Sequence, residues 1–358
     1  MDNTNQRRIP INGEIWLFLR GLIIGKILTI LVLGGVAWLL LRPYTLVRKN
    51  TVATSSQNSN PTSSVVSNFQ SVANVPVAAA NYGGSAAWAP IRQLIDSQIQ
   101  SDRPELQLRY QDLNNSSPSS SSGIRMLLDG KLDFAQSSRP LTDSEYSLAK
   151  QKGFTLEQRQ VGIDGIAVVV NPSLQIPGLT VDQLQQIYLG KITNWKQVGG
   201  SDLPITPLSQ RLEKADTAIF SGNKNLQSQP LGSNVKYVSS TTEAVRQVSK
   251  IPGGIYYASA RAVVPQCSVK PLPLGLTSTQ LISPYRESLV TPEQCPRQRN
   301  QINTEAIKNG SYPITTNLFV IIKQNDVQTQ QIGEAYAQLL LTDQGQKAIE
   351  RAGVAGVR

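Results

Sequence analysis

From Asn81 onward the spacing of apolar residues changes in a regular way, and the changes predict alternating helices and strands. In "AAWAPIRQLIDSQIQ" the residues Trp88, Ile91, Leu94, Ile95 and Ile99 fall on one side of a helix, since positions three and four apart share a face. "LQLRYQDL" alternates as a strand does. "IRMLLDG" predicts a short helix ending at Gly130, and "KLDFAQSS" a strand after it. "TDSEYSLAKQKG" offers Thr142 or Asp143 as N-cap, places Glu145 in the first turn and stops at Gly153. "GIAVVVN" is apolar throughout, as expected of a strand covered on both faces of a sheet. "TVDQLQQIYLGK" predicts another capped helix, from Thr180 to Gly190. The pattern is that of an α/β domain with mainly parallel pairings.

The first 80 residues follow other rules. Gly21 to Leu41 carries a single charge, Lys26, and is long enough to cross a bilayer as a helix. Lys26 lies close enough to one end to snorkel, and Trp16, Trp38 and Tyr44 flank the stretch as interfacial residues do. A secretory signal is the competing reading. Its apolar core would be shorter and followed by small residues, whereas "WLLLRPY" follows here. No cysteine follows the stretch to receive a lipid. Residues 1–44 are therefore expected to be a cytoplasmic stub and uncleaved transmembrane anchor. Residues 45–80, rich in Ser, Asn, Val and Ala and uncharged after Lys49, read as a flexible linker. Residues 81–358 form the folded domain, without internal repeats.

Composition narrows the chemistry. Hydrophobic residues make up 40% and charged residues 16% of the chain, a globular balance. Histidine is absent, which removes Ser-His-Asp and Cys-His catalysis and the usual zinc ligand sets. Cys267 and Cys295 are too few for a metal cluster. Outside the cytoplasm they form one natural disulfide pair, closing a loop of roughly 30 residues and worth about 3 kcal/mol in a chain-entropy picture. In a reducing compartment they would be two buried thiols. Half of the net charge of +10 sits in residues 1–50, and the remainder is spread among interspersed acidic residues. No basic stripe with interleaved aromatics appears, which argues against nucleic acid as a partner. A mild positive field suits a small anion and equally suits solubility. No cofactor is called for.

Loops that leave a strand and open a helix aim backbone N–H groups and the positive helix end at one place, which suits an oxyanion. Four segments have this form: "GGSAAWAP", "SSSSGIRML", "SSRPLTDSE" and "LSQRLEKADTAIF". Singly, a serine before a helix is a cap and an arginine is solvated. Four on one α/β frame exceed what capping requires, because open α/β sheets bind ligands at strand carboxyl ends. The serine-rich run "NNSSPSSSSG" divides accordingly into a linker-like insertion, "NNSSPSS", and a helix-start piece, "SSG".

"GKLDFAQSSRPLTDSE", "VGIDGIAVVVNP", "LTVDQLQQIYLGKITNWKQVGG", "IPGGIYYAS", "YPITTNLFVIIK" and the closing "LLLTDQGQKAIERAG" resemble the phosphate-binding proteins of phosphate-specific ABC transporters. The resemblance covers essentially all of 81–358. It implies a type II periplasmic-binding-protein fold in which two α/β lobes, joined by two crossing strands, close over the ligand. Lobe one would comprise 81–170 and 256–358, and lobe two 171–255. It also implies an extracytoplasmic (periplasmic) domain held at the cell membrane by a single-pass helix. The domain would be a monomer, hand inorganic phosphate or a related oxyanion to an ABC permease, and catalyse nothing.

Carried over residue by residue, the resemblance gives an anion-binding set of Ser85, Ser121, Ser122, Ser138, Arg139, Arg211 and Thr217. Ala86 stands where the family has a threonine, leaving Ser85 and the backbone. Ser138 stands where well-known members carry an aspartate that accepts the phosphate proton, with Arg139 beside it. Arg211 and Thr217 keep the family spacing, but Ala215 and Asp216 replace the serine and glycine of its anion cradle. An ionised Asp216 pointing inward would repel an anion. Pointing outward, it would cap the next helix or pair with Lys214. Asp164 is expected to be a structural hydrogen-bonding residue near the hinge. The departures keep alternatives open: another oxyanion or small ligand on the same fold, or a non-transporting sensor or interaction domain with a degenerate pocket.

Overall fold

The computed structural model describes residues 67–111, 118–210, 219–220, 229–291 and 293–358. The apolar stretch Gly21–Leu41, the residues Lys214, Ala215 and Asp216, and the expected anion ligands Arg211 and Thr217 lie outside them. Among the described residues no helix is long and apolar enough to cross a membrane.

The chain opens with β1 (Ala78–Gly84), α1 (Ala89–Asp102), β2 (Leu106–Tyr110), α2 (Ser120–Leu128), β3 (Phe134–Ser137) and α3 (Asp143–Gln151). The long β4 (Thr155–Val170) follows, then β5 (Leu179–Thr180), α4 (Val181–Tyr188), β6 (Thr206–Ser209) and β7 (Lys236–Tyr237). Next come α5 (Thr241–Val248), β8 (Gly254–Ser259), α6 (Ala260–Val263), β9 (Lys270–Leu272), β10 (Leu274–Thr277) and β11 (Gln280–Ile282). The last elements are α7 (Thr304–Lys308), β12 (Thr315–Gln324), α8 (Val327–Leu340), α9 (Asp343–Arg351) and β13 (Ala355–Gly356).

Local chemistry sets several of these boundaries. Ile91, Ile95 and Ile99 form the buried stripe of α1. Thr142 caps α3 in a capping box with Glu145, and Thr180 caps α4 with Gln183, each pair satisfying two otherwise unpaired donors. The main sheet runs β2-β1-β3-β12-β4-β8-β6-β7. β1 pairs in parallel with β2 and β3, and β6 does so with β8 and β7. β12 is antiparallel to both β3 and β4, and β4 is antiparallel to β8 and β9. The sheet is therefore mixed, and the expectation of mainly parallel pairing is corrected. The reason is geometric: a strand that carries the chain out and a neighbour that brings it back must run in opposite directions.

The two-residue period of a strand distributes β12 between two cores. Leu318, Val320 and Ile322 pack with α1, α8 and α9, while Phe319 and Ile321 pack with α2 and α3. The far half of β4 divides the same way. Ile166, Val168 and Val170 join a core with α4 and α7, and Ala167 and Val169 join one with α5 and α6. That double burial is what the unbroken apolar run of "GIAVVVN" foreshadowed. The second pair of cores takes in buried residues between Ile166 and Ile314 together with Ala355, so it draws on chain outside the 171–255 expected for lobe two. Gly254–Ser259, expected to lead back to lobe one, is β8, inside this second group.

The linker expected over 45–80 does not extend to residue 80. Phe69 and Val72 are buried in the first core. The Arg103 guanidinium donates to the carbonyls of Phe69, Gln70 and Val72 at 3.1, 3.2 and 2.5 Å, and Phe69 N–H donates to Gln344 Oε1 at 3.0 Å. An aromatic anchor and an arginine far along the chain hold this segment, so its polar composition misled.

Candidate functional site

The carboxyl ends of β1 and β3 and the start of α2 meet at one place, and two glycines allow it. A Cβ on Gly84 would lie 2.1 Å from the Gln136 carbonyl oxygen, and Gly84 has φ +133°, which side chains rarely adopt. A Cβ on Gly123 would lie 2.4 Å from Gly84 Cα. The glycines thus let the β1 loop pass between β3 and α2. Ser85 N–H then donates to the Gln136 carbonyl at 2.8 Å, and the Trp88 indole donates to the Ser137 carbonyl at 3.1 Å, fixing both loops.

Three hydroxyls gather at this crossing. Ser85 Oγ and Ser138 Oγ share a hydrogen bond of 2.9 Å, and Ser120 Oγ lies 3.4 Å from Ser138 Oγ. Ser138 N–H donates to Ser120 Oγ at 3.0 Å. Ser85, Ser120 and Ser138 are all buried. From β12, Thr316 Oγ1 donates to the Ser138 carbonyl at 2.5 Å.

The structure thus brings the expected Ser85 and Ser138 together, and it adds Ser120. Ser122 is occupied otherwise: it is the third residue of α2 and closes a capping box with the N-cap Ser119. Ser121 points to the outside of the helix start, where its hydroxyl accepts from Arg139 Nη2 at 2.8 Å. Arg139 is held in a two-pronged pair with Glu145, at 2.9 and 2.8 Å. Burial pushes the Glu145 carboxyl up, but the bonds from Arg139 and from Thr142 outweigh it and hold the group below its ordinary value. The guanidinium of Arg139 is therefore engaged in fixing the start of α3.

A signal for Ser120 was present in the sequence. Helical spacing run backwards from the buried Ile124 reaches Ser120 four residues earlier, on the same inward face. Starting the helix at Ile124 hid it, because the serines before it looked like loop.

A second polar cluster lies where β4 passes from one pair of cores to the other. Asp164 is buried opposite Thr316, and Ser259 Oγ donates to Asp164 Oδ2 at 2.6 Å. Arg261 Nη2 stands 3.2 Å from the same oxygen, and Arg261 Nε donates to Ser259 Oγ at 3.1 Å. This is the structural hydrogen-bonding place expected of Asp164. Cys267 and Cys295 are joined in a disulfide, with Cα atoms 5.8 Å apart. No cluster of residues able to hold a metal ion occurs among the described residues.

Loops converging on buried hydroxyls at strand ends, on an α/β frame with two sets of cores, are the arrangement in which open α/β sheets take ligands. The chain belongs to the PBP superfamily, whose domain profile matches residues 74–344. It is similar to the phosphate-binding protein PstS of Staphylococcus epidermidis, 23% identical over 276 residues that cover 76% of this chain and 77% of that relative. In fold it is similar to a Clostridium perfringens protein assigned as the substrate-binding protein of a phosphate ABC transporter and solved with bound phosphate. There the TM-score is 0.59 at 21% identity, covering 78% of this chain and 100% of that one. An ABC-type phosphate transport receptor from Vibrio cholerae gives a TM-score of 0.58 at 22% identity, with 78% and 100% coverage.

Proposed function

We propose that this chain is a membrane-tethered, extracytoplasmic binding protein that captures inorganic phosphate and passes it to an ABC permease, without catalysing a reaction. One observation carries the reading: three buried hydroxyls, Ser85, Ser120 and Ser138, converge at the ends of β1 and β3 and the start of α2. Hydroxyls there can donate to an oxyanion's oxygens or accept from its proton, and the start of α2 adds a favourable dipole. The phosphate-binding relatives supply the ligand class. In this reading Arg211 gives the main positive charge and Thr217 a further hydroxyl, residues 1–44 anchor the domain, and the protein is a monomer. Ser121, Ser122 and Arg139 then support the site instead of touching the ion.

Calorimetry on the full-length chain with phosphate, arsenate, sulfate and molybdate tests the proposal. Phosphate is expected to bind with a Kd of about 1 μM or tighter, roughly −8 kcal/mol. Absence of both heat and thermal stabilisation with phosphate would sink the assignment. Arg211→Ala is expected to weaken phosphate at least tenfold, and unchanged affinity would remove Arg211 from the site.

A further inference from the structure

The second group of cores holds a cavity that the phosphate reading does not use. It has a volume of about 250 Å³ and lies between the exit of β4, strand β9 and the segment pinned by the Cys267–Cys295 disulfide. Its walls combine Val269, Leu289 and Val290 with Gln175 and Asn300, and Lys270 is the one charged residue lining it among the described residues.

Lys270 is unusual for a surface lysine. Its amine donates to the Leu174 carbonyl, the one hydrogen bond it makes among the described residues, and it forms no ion pair there. An ammonium carries three N–H donors, so one carbonyl leaves most of its capacity unused. Burial lowers the pKa of the Lys270 amine, as expected when a charge loses water and gains no counter-ion. Among the described residues no carboxylate lines the cavity. A partly desolvated cation in a chamber of apolar and neutral walls is matched by a ligand that brings one negative charge and some hydrocarbon.

We propose that this cavity binds a small organic carboxylate, with the carboxylate on the Lys270 amine and the hydrocarbon portion against Val269, Leu289 and the disulfide. A single cation balances a monoanion and would leave a dianion half unpaired, which separates this site from one for phosphate. The volume exceeds what a bare ion fills, and apolar walls offer an ion no further donors. The disulfide holds the 285–300 side in place against β9, so the chamber depends on the oxidised form.

The test is ligand-observed saturation-transfer NMR on the full-length chain with acetate, butyrate, hexanoate and, as the opposite charge, hexylamine. Butyrate and hexanoate are expected to bind more tightly than acetate, and hexylamine not at all. Lys270→Met is expected to weaken hexanoate at least tenfold and leave phosphate affinity unchanged, which separates this proposal from the phosphate assignment. Should that variant fail to fold, acetylation footprinting of the wild-type chain serves instead, with hexanoate expected to shield Lys270 selectively among the lysines. No transfer to any carboxylate, equal binding of hexylamine, undiminished binding by Lys270→Met, or no shielding of Lys270 would each overturn the proposal.

Discussion

Two buried polar clusters lie on either side of β12 in the main sheet and differ in charge. Ser85, Ser120 and Ser138 are neutral and, among the described residues, bond to each other and to nearby backbone. Asp164, Ser259 and Arg261 form an ionic group where the two sets of cores join. Thr316 stands between them, opposite Asp164 in the strand pairing and donating to the Ser138 carbonyl. A hydroxyl can exchange one partner for another at little cost, since it both donates and accepts. A buried ion pair cannot release a partner without leaving a charge out of water. In the proposed reading, ligand exchange falls to the serines and the holding of the joint to the ions.

Breaking the ionic cluster should have the largest effect. Arg261→Met leaves Asp164 buried with only the Ser259 hydroxyl and the Gly165 backbone as partners, and should cost about 3–5 kcal/mol of stability in urea denaturation. The double variant Arg261→Met with Asp164→Asn should recover part of that loss, because the stranded charge is gone. A loss under about 1 kcal/mol for the single variant would mean that the pair does not hold the joint.

Asp96 of α1 sharpens the contrast as a half-buried carboxyl paired chiefly with a neutral group. Tyr82 O–H donates to Asp96 Oδ2, and Tyr336 and Arg92 also face it. Arg92 itself donates to Gln136 Oε1 at 3.0 Å and lies 4.0 Å from the centre of the Tyr110 ring. Burial raises the Asp96 pKa to about 6, only partly opposed by Tyr82, Arg92 and Tyr336. The folded chain therefore holds this proton more tightly than the unfolded chain does. The resulting stability is fully present below pH 3.8 and is lost as pH rises through about 6. Over that window the loss is up to about 3 kcal/mol. Asp96→Asn should flatten this part of the pH profile in denaturation experiments. An unchanged slope would place the titration elsewhere.

The crossing that assembles the serines can be broken through its backbone. Gly123→Ala drives a methyl group into Gly84 Cα, and overpacking of this kind costs about 1–3 kcal/mol. Phosphate affinity should fall with stability, because the β1 loop must move. A stable variant with native affinity would show that Ser85 and Ser120 act independently.

How much of this was legible in the sequence varied with the kind of residue. The far half of β4 was plain, because burial on both faces demands an unbroken apolar run. Its near half, "TLEQRQVGID", was missed, because one side of the strand is partly open there and polar residues interrupt the run. The antiparallel placement of β12 beside β4 could not be read at all, since pairing direction depends on where the chain returns. The loops of Ser85 and Ser138 were legible as segments that leave a strand and open a helix, while the two residues themselves came from the family resemblance. Arg139 was not, because its engagement by Glu145 depends on a side-chain conformation, although Glu145 itself was visible in the capping box.

The smallest expected effects separate the two faces of α2. Ser120→Ala removes an inward hydroxyl that accepts from Ser138 N–H and lies beside Ser138 Oγ. A neutral hydrogen bond is worth about 0.5–1.5 kcal/mol, so phosphate affinity should fall roughly twofold to tenfold in calorimetry. Ser122→Ala removes half of a capping box instead, costing under about 1 kcal/mol of stability with affinity unchanged. The reverse result, with Ser122 controlling affinity and Ser120 only stability, would move the anion to the outer side of the helix start. Ser121 and Arg139 meet on that side, and Arg139 would then have to leave Glu145 whenever the ion arrived.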